Sequence, residues 1–190
     1  MYYCEKCNAA FEPERCPVCG NKKTREPRDD DYCFLAEQGK HRSEVLMSVL
    51  DANEIPYSAV PVGTGVESIF GMSLSCNRLY VPFGHLDKAN GIMREMEAEK
   101  TEELRAKLFE NANSFNIPPK TEKKLRKKLK LPDETNFISF CLDIVKGATK
   151  ITDDDSNTGA WRFVYCFSQD YTLSIEPNRF EIYAVRPAKA

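Results

Sequence analysis

Four cysteines in the first nineteen residues constrain this chain more than anything else in it. Cys4 and Cys7 form one CxxC pair, Cys16 and Cys19 a second, and eight residues separate the pairs. A CxxC turn sets two sulfurs on one side of a cation, and two such turns close a tetrahedron. Zinc prefers that geometry, and thiolates are soft ligands whose charge offsets the cation's. In the second pair, Cys16-Pro17-Val18-Cys19-Gly20, Pro17 fixes φ and Gly20 permits a left-handed residue just after the last ligand. The expected ligands are therefore Cys4, Cys7, Cys16 and Cys19, around one zinc ion. Four protein ligands leave no open position for a substrate, so the expected role is structural. A segment of about twenty-five residues cannot bury a useful core, and the metal would supply most of its folding energy.

The paired knuckles resemble the short zinc-ribbon family over roughly residues 1–25, in which two such turns sit on a small β-hairpin. The resemblance implies the ligand role for the four cysteines only. A rubredoxin-type iron site uses similar knuckles on a longer intervening loop. Disulfides would require an oxidising compartment, of which the sequence gives no sign.

The chain has 190 residues, enough for one or two compact domains beside the metal segment. No apolar run approaches the length of a membrane span. Met1-Tyr2-Tyr3-Cys4 leads straight into the metal segment, so no signal peptide is expected. Cys33, Cys76, Cys141 and Cys166 stand singly in apolar or strand-like sequence and read as reduced thiols. The expected location is the cytoplasm. The net charge of −2 hides one basic segment: residues 113–131 hold 7 Lys and Arg against 1 Asp or Glu. A chain with no overall positive charge is a poor candidate for a dedicated nucleic-acid binder.

The predicted class is α+β, in three modules: a zinc ribbon over 1–27, an α/β module over 32–112, and an α+β module over 121–190. Residues 21–31 are polar and aperiodic and read as a linker. A strand follows at Tyr32–Ala36 and a helix from about Lys40 to Ala52 with Val45, Leu46, Val49 and Leu50 inward. Asn53 is the expected left-handed cap, and Pro56 blocks continuation. Strands at Tyr57–Val62 and Arg78–Val81 flank a glycine-bearing loop, and a second helix starts near His85. Between Glu97 and Glu103 that helix leaves the core or breaks. Phe34, Leu35, Leu46, Val49, Leu50, Leu79, Val81, Ile92 and Met96 are the expected core.

Strand-helix-strand-strand-helix is most of a ferredoxin-like βαββαβ unit. Three stretches carry a further likeness: Ser43-Glu44-Val45-Leu46 before Glu54-Ile55-Pro56, the glycine loop, and Leu79-Tyr80-Val81-Pro82 before Leu86-Asp87-Lys88-Ala89. On these, residues 32–97 resemble the prokaryotic signal-transducing domain likened in fold to the nitrogen-regulatory PII proteins. That resemblance implies a regulatory or binding role. No fourth strand is legible after the second helix.

Beyond the boundary at 113–120, a basic helix spans 120–130 with Leu125 and Leu129 on one face. Asp133 is a plausible cap for an amphipathic helix carrying Phe137, Phe140, Cys141, Ile144 and Val145. Strands at Ala160–Phe167, Tyr171–Ile175 and Arg179–Val185 predict a three-stranded antiparallel meander. Trp161, Phe163, Tyr165 and Phe167 read as core and edge packing of that sheet.

No catalytic signature is spelled out. The loop at 63–71 lacks a P-loop lysine and a dinucleotide fingerprint, and reads as turns or a protein contact. Asp153–Gly159 fails the calcium-loop register at Thr158 and Val164. His41 and His85 sit at helix starts without a nucleophile or metal signature. The expectation is a non-enzymatic regulatory or adaptor protein that binds a protein partner or small ligand, with no membrane role. The alternative is a nucleic-acid-associated protein that uses the ribbon and the 120–130 helix together. An enzyme with a site between modules comes third.

Overall fold

The computed structural model describes residues 1–22, 24–62, 76–153 and 163–188. Among them are four α-helices and three antiparallel sheets, a mixed α+β chain that falls into two compact units, Met1–Glu95 and Met96–Ala190.

The first unit opens with a hairpin of β1 (Tyr2–Cys4) and β2 (Ala9–Phe11). β3 (Tyr32–Gly39), α1 (Lys40–Ala52), β4 (Ser58–Val62), β5 (Cys76–Pro82) and the start of α2 (Phe83–Glu110) follow. The sheet order is β3-β5-β4, every neighbour antiparallel. Leu79 and Val81 on the central strand are fully buried, and α1 packs over them through Leu46 and Leu50. A bulge between Phe34 and Ala36 makes Leu35 an extra residue, so Leu35 and Ala36 both turn inward. Phe34 departs from the expected core. Alternation places it with Tyr32 on the outer face, 43% exposed, where its ring meets Tyr80 edge-on at 5.9 Å. Val49, Ile92 and Met96 are half-buried, and Val45 is exposed.

At the end of α1 the left-handed residue is Glu54 (φ 56), not Asn53 (φ −97). Ile55 N–H reaches back to the Leu50 carbonyl at 2.9 Å and buries its side chain, which closes a Schellman-type cap. Residues read as a linker are fastened down. The Asp31 and Asp29 carbonyls accept from the N–H groups of Phe83 and Gly84, at 2.8 and 3.0 Å, two donors that α2 cannot satisfy itself.

Of the two alternatives expected over Glu97–Glu103, a break or a departure from the core, the break does not occur: α2 runs unbroken, and the first unit ends just before this stretch, at Glu95. In the second unit its far half buries Thr101 and Leu108. After a 3-10 turn at Ala112–Ser114 come α3 (Pro119–Leu129), α4 (Phe137–Lys146), β6 (Lys150–Asp153), β7 (Val164–Phe167), β8 (Tyr171–Glu176) and β9 (Glu181–Pro187). The expected three-stranded meander is four-stranded, in the order β6-β7-β8-β9. Lys150–Asp153 is short and has one fully buried residue, Ile151, too little alternation to read as a strand. Asn136, not Asp133, caps α4: its side chain accepts from Ser139 N–H at 3.0 Å. At the other end Arg105 donates to the carbonyls of Val145 and Ala148.

One core unites this unit, with Phe137, Cys141, Ile144 and Val145 of α4 set against Val164, Cys166, Leu173 and Val185 of the sheet. Both sheet edges are closed by parts that are not strands. Ile151 N–H on β6 donates to Thr101 Oγ1 of α2, and Ile182 N–H on β9 donates to the Asn116 carbonyl.

Candidate metal centre

The hairpin delivers Cys4 from the end of β1 and Cys7 from the turn behind it. Cys16 and Cys19 come from the next turn along the chain. Each pair closes on a left-handed residue: Asn8 (φ 48) follows Cys7, and Gly20 (φ 69) follows Cys19. Gly20 was legible in the sequence. Asn8 was not singled out, although asparagine is the residue other than glycine that most readily takes this conformation. Backbone bonds fix both turns: Cys7 N–H to the Cys4 carbonyl at 3.1 Å, and Gly20 N–H to the Cys16 carbonyl at 2.8 Å.

The four sulfurs lie within 4.8 Å of one another, and Cys4 Sγ stands 3.7 Å from Cys19 Sγ. Sulfurs about 2.3 Å from a common tetrahedral centre would be about 3.8 Å apart. The cluster can therefore hold a metal ion with little movement. Cys4 and Cys16 are buried, Cys7 is half-buried and Cys19 is exposed; Phe11 packs beneath. None of the eight cysteines is in a disulfide.

A hydrogen bond with Cys19, then burial, pushes Cys7 up to about 12. At Cys16 burial also opposes ionisation, but bonds from the backbone of Cys19 and Val18 outweigh it and bring the thiol down to about 7. The backbone thus favours a thiolate at Cys16.

Tyr3 ties this cluster to the sheet. Its ring is buried, and its hydroxyl donates to the Tyr32 carbonyl at 2.9 Å, sharing its one proton with Asn8 Oδ1 at 3.1 Å. Phe34 N–H donates to the Asn8 carbonyl at 2.6 Å. Tyr32 C=O and Phe34 N–H belong to the free edge of β3, so the hairpin covers that edge. Arg25 locks the arrangement. It exchanges backbone bonds with Tyr3, donates twice to Asp31 at 2.6 Å and once to Glu5 at 2.8 Å, and stacks 4.9 Å over the Tyr3 ring. The bonds from Arg25 hold the Asp31 carboxyl down at about 2.

The glycine loop at 63–71 and Trp161 lie outside the described residues, as do residues 154–159 of the acidic turn. Asp153 is a β6 residue paired with Lys100 at 2.6 Å. His41 is exposed in the first turn of α1, and His85 is half-buried in the first turn of α2. Among the described residues no helix is long and apolar enough to cross a membrane. None of the family models, curated proteins or solved structures compared with the chain matches it.

Proposed function

We propose that the protein is a non-enzymatic regulatory or adaptor protein. In this reading Cys4, Cys7, Cys16 and Cys19 hold one structural zinc ion in a zinc ribbon, and a ferredoxin-like, PII-like module beside it offers the binding face. The sheet order β3-β5-β4 supports the second part, since it is the order of the first three strands of a βαββαβ unit. In that unit a fourth strand would pair with β3. Here the hairpin takes its place, which gives the metal a reason to be structural.

One observation carries the binding role. The outer face of the β3-β5-β4 sheet presents Tyr32, Phe34 and Val60, 39%, 43% and 46% exposed, around Tyr80. Contiguous apolar side chains on an otherwise solvated sheet mark an interaction surface. The nearby cation Arg78 is spent on Glu37 at 2.6 Å, so the face suits a protein or small apolar ligand better than a phosphate. The ribbon gives nucleic acid little either, because residues 1–27 hold 5 Lys and Arg against 4 Asp and Glu and so have almost no net charge. The proposed location is the cytoplasm, where the thiols stay reduced.

Capture from a nuclease-treated native lysate tests the reading. The wild type should retain a stoichiometric protein partner that Phe34→Ser and Tyr80→Ser lose. Equal capture by wild type and variants, or capture that nuclease abolishes, would refute it.

A further inference from the structure

The four-stranded sheet of the Met96–Ala190 unit has an outer face, opposite α4, that carries a row of rings. Val164 and Cys166 turn into the core, so Phe163, Tyr165 and Phe167 turn out, away from the core they were expected to pack. Successive ring centroids along this stretch are 6.2 and 6.5 Å apart. β9 adds Tyr183, the extra residue of a bulge opposite Ser174 and Ile175, whose ring lies 5.1 Å from that of Phe163. Phe167 and Tyr183 are 39% and 62% exposed. α3 packs on the inner side through Leu125, so its lysines take no part in this face.

Charge is divided between the two ends of the row. At one end Phe167 stands opposite Thr172, and Thr172 opposite Arg186. Arg186 is exposed and has no ion pair among the described residues. At the Phe163 end Glu176 stands opposite Glu181, and both turn out because their neighbours Ile175 and Ile182 are buried. The Glu176 carboxylate accepts from the N–H groups of Asn178 and Arg179 at 3.1 and 2.8 Å. Glu181 has no ion pair among the described residues. Like charges directly opposed across two strands are destabilising, so this end calls for a cation. Arg186 of the same copy lies five positions from Glu181 on β9, roughly 15 Å at about 3.3 Å per residue, too far to supply it.

We propose that this face is the interface of a homodimer, in which two copies meet ring to ring about a twofold axis. An axis lying across the strands sets β9 on β9 and β7 on β7, each pair running in opposite directions. Arg186 of one copy then lies over Glu176 and Glu181 of the second copy, Phe167 lies over Phe163, and Tyr165 stands near the axis. Symmetry repeats each contact, which is the self-complementarity a twofold interface requires. Four strands at about 4.8 Å spacing and about six residues of length make a face of roughly 19 by 20 Å. That is at the small end of specific interfaces, so association in the micromolar range is expected. A nucleic-acid strand could stack on the rings, but its phosphates would run onto the two carboxylates. The dimer is independent of any partner held by the Met1–Glu95 unit.

The test uses the purified full-length protein, kept reduced, in sedimentation equilibrium across micromolar concentrations. A reversible monomer–dimer equilibrium is expected. Phe167→Ser and Tyr183→Ser, both at exposed positions, should weaken it by roughly tenfold or more each. Arg186→Glu and Glu181→Arg should each weaken it as much, because each sets like charges together twice in one dimer. An equimolar mixture of those two variants should dimerise more tightly than either alone, since one Arg–Glu contact is then reversed and the other is intact. Thermal melts of each variant establish that the unit is folded. Three results would overturn the proposal: a monomer throughout, whether or not it binds oligothymidylate through the same rings; a dimer that folded Phe167→Ser and Tyr183→Ser leave unchanged; or no gain on mixing the two folded charge variants.

Discussion

Replacing Tyr3 by phenylalanine isolates the joint between the cysteine cluster and the sheet. The ring is 4% exposed and fits the same space in the variant, so packing is kept and only the hydroxyl is lost. That hydroxyl holds the Tyr32 carbonyl at 2.9 Å and Asn8 Oδ1 at 3.1 Å with one proton. Burial, reinforced by Cys33 and Asp31, raises its pKa to about 12, so it remains a donor throughout the working pH range. A neutral bond is worth about 1 kcal/mol net, and stranding a buried acceptor adds about 1–3 kcal/mol when water cannot replace the donor. The β3 edge is partly reachable by water, so the expected loss is about 1–2 kcal/mol. That raises the undocked population roughly five- to thirtyfold by the relation of about 1.4 kcal/mol per decade. Amide hydrogen exchange reads it directly. Phe34 N–H, bonded to the Asn8 carbonyl at 2.6 Å, should exchange faster by that factor, while Val145 and Val185 in the other unit keep their wild-type rates. Unchanged exchange at Phe34, or equal acceleration in both units, would refute a hairpin docked through this hydroxyl.

Substitutions at three further positions probe other parts of the chain. The wild type should bind one zinc per chain with tetrahedral thiolate spectra on cobalt replacement, and Cys16→Ser should lose the metal; iron in the purified protein, or full zinc retention in the variant, would contradict the assignment. Asp31→Asn should destabilise the Met1–Glu95 unit near neutral pH, because the folded carboxyl, lowered from 3.8 to about 2, contributes stability fully present above its unfolded pKa. That contribution fades as pH falls from about 4 towards 2, so urea midpoints of wild type and variant should converge there. Asn136→Ala should cost the Met96–Ala190 unit about 1 kcal/mol through loss of the α4 cap, and Asn136→Asp should restore most of it.

The cysteine cluster was legible because two CxxC turns bring four sulfurs together wherever the rest of the chain goes. The helices were legible for a related reason, since Leu46 and Leu50 on α1 and Phe137, Cys141 and Ile144 on α4 mark buried faces at helical period. What could not be read was contact between distant segments. Residues 21–31 looked unstructured because their order comes from Arg25 and from the Asp29 and Asp31 carbonyls, whose partners lie elsewhere in the chain. Phe34 looked like core because a run of apolar residues does not say which side of the strand is covered. The same ambiguity left open which face Phe163, Tyr165 and Phe167 take: they turn away from α4, since Val164 and Cys166 meet it.

A fourth strand after α2 would be required only if a strand edge had to be closed by a strand. An edge needs only donors and acceptors at the right positions, and here other parts supply them. The Tyr3 hydroxyl and the Asn8 carbonyl do so for β3, the Thr101 hydroxyl for β6, and the Asn116 backbone for β9. α2 is thereby released from turning back into a fourth strand, and its far half contributes Thr101 and Leu108 to the second unit. The hairpin that frees it is too small to hold its shape through its own core, so the order of the β3 edge depends on the four cysteines. If the cluster holds a metal as proposed, removing it should be felt at Phe34 and Tyr32 on the neighbouring strand as well as within the cluster, and those two residues belong to the face proposed to bind a partner.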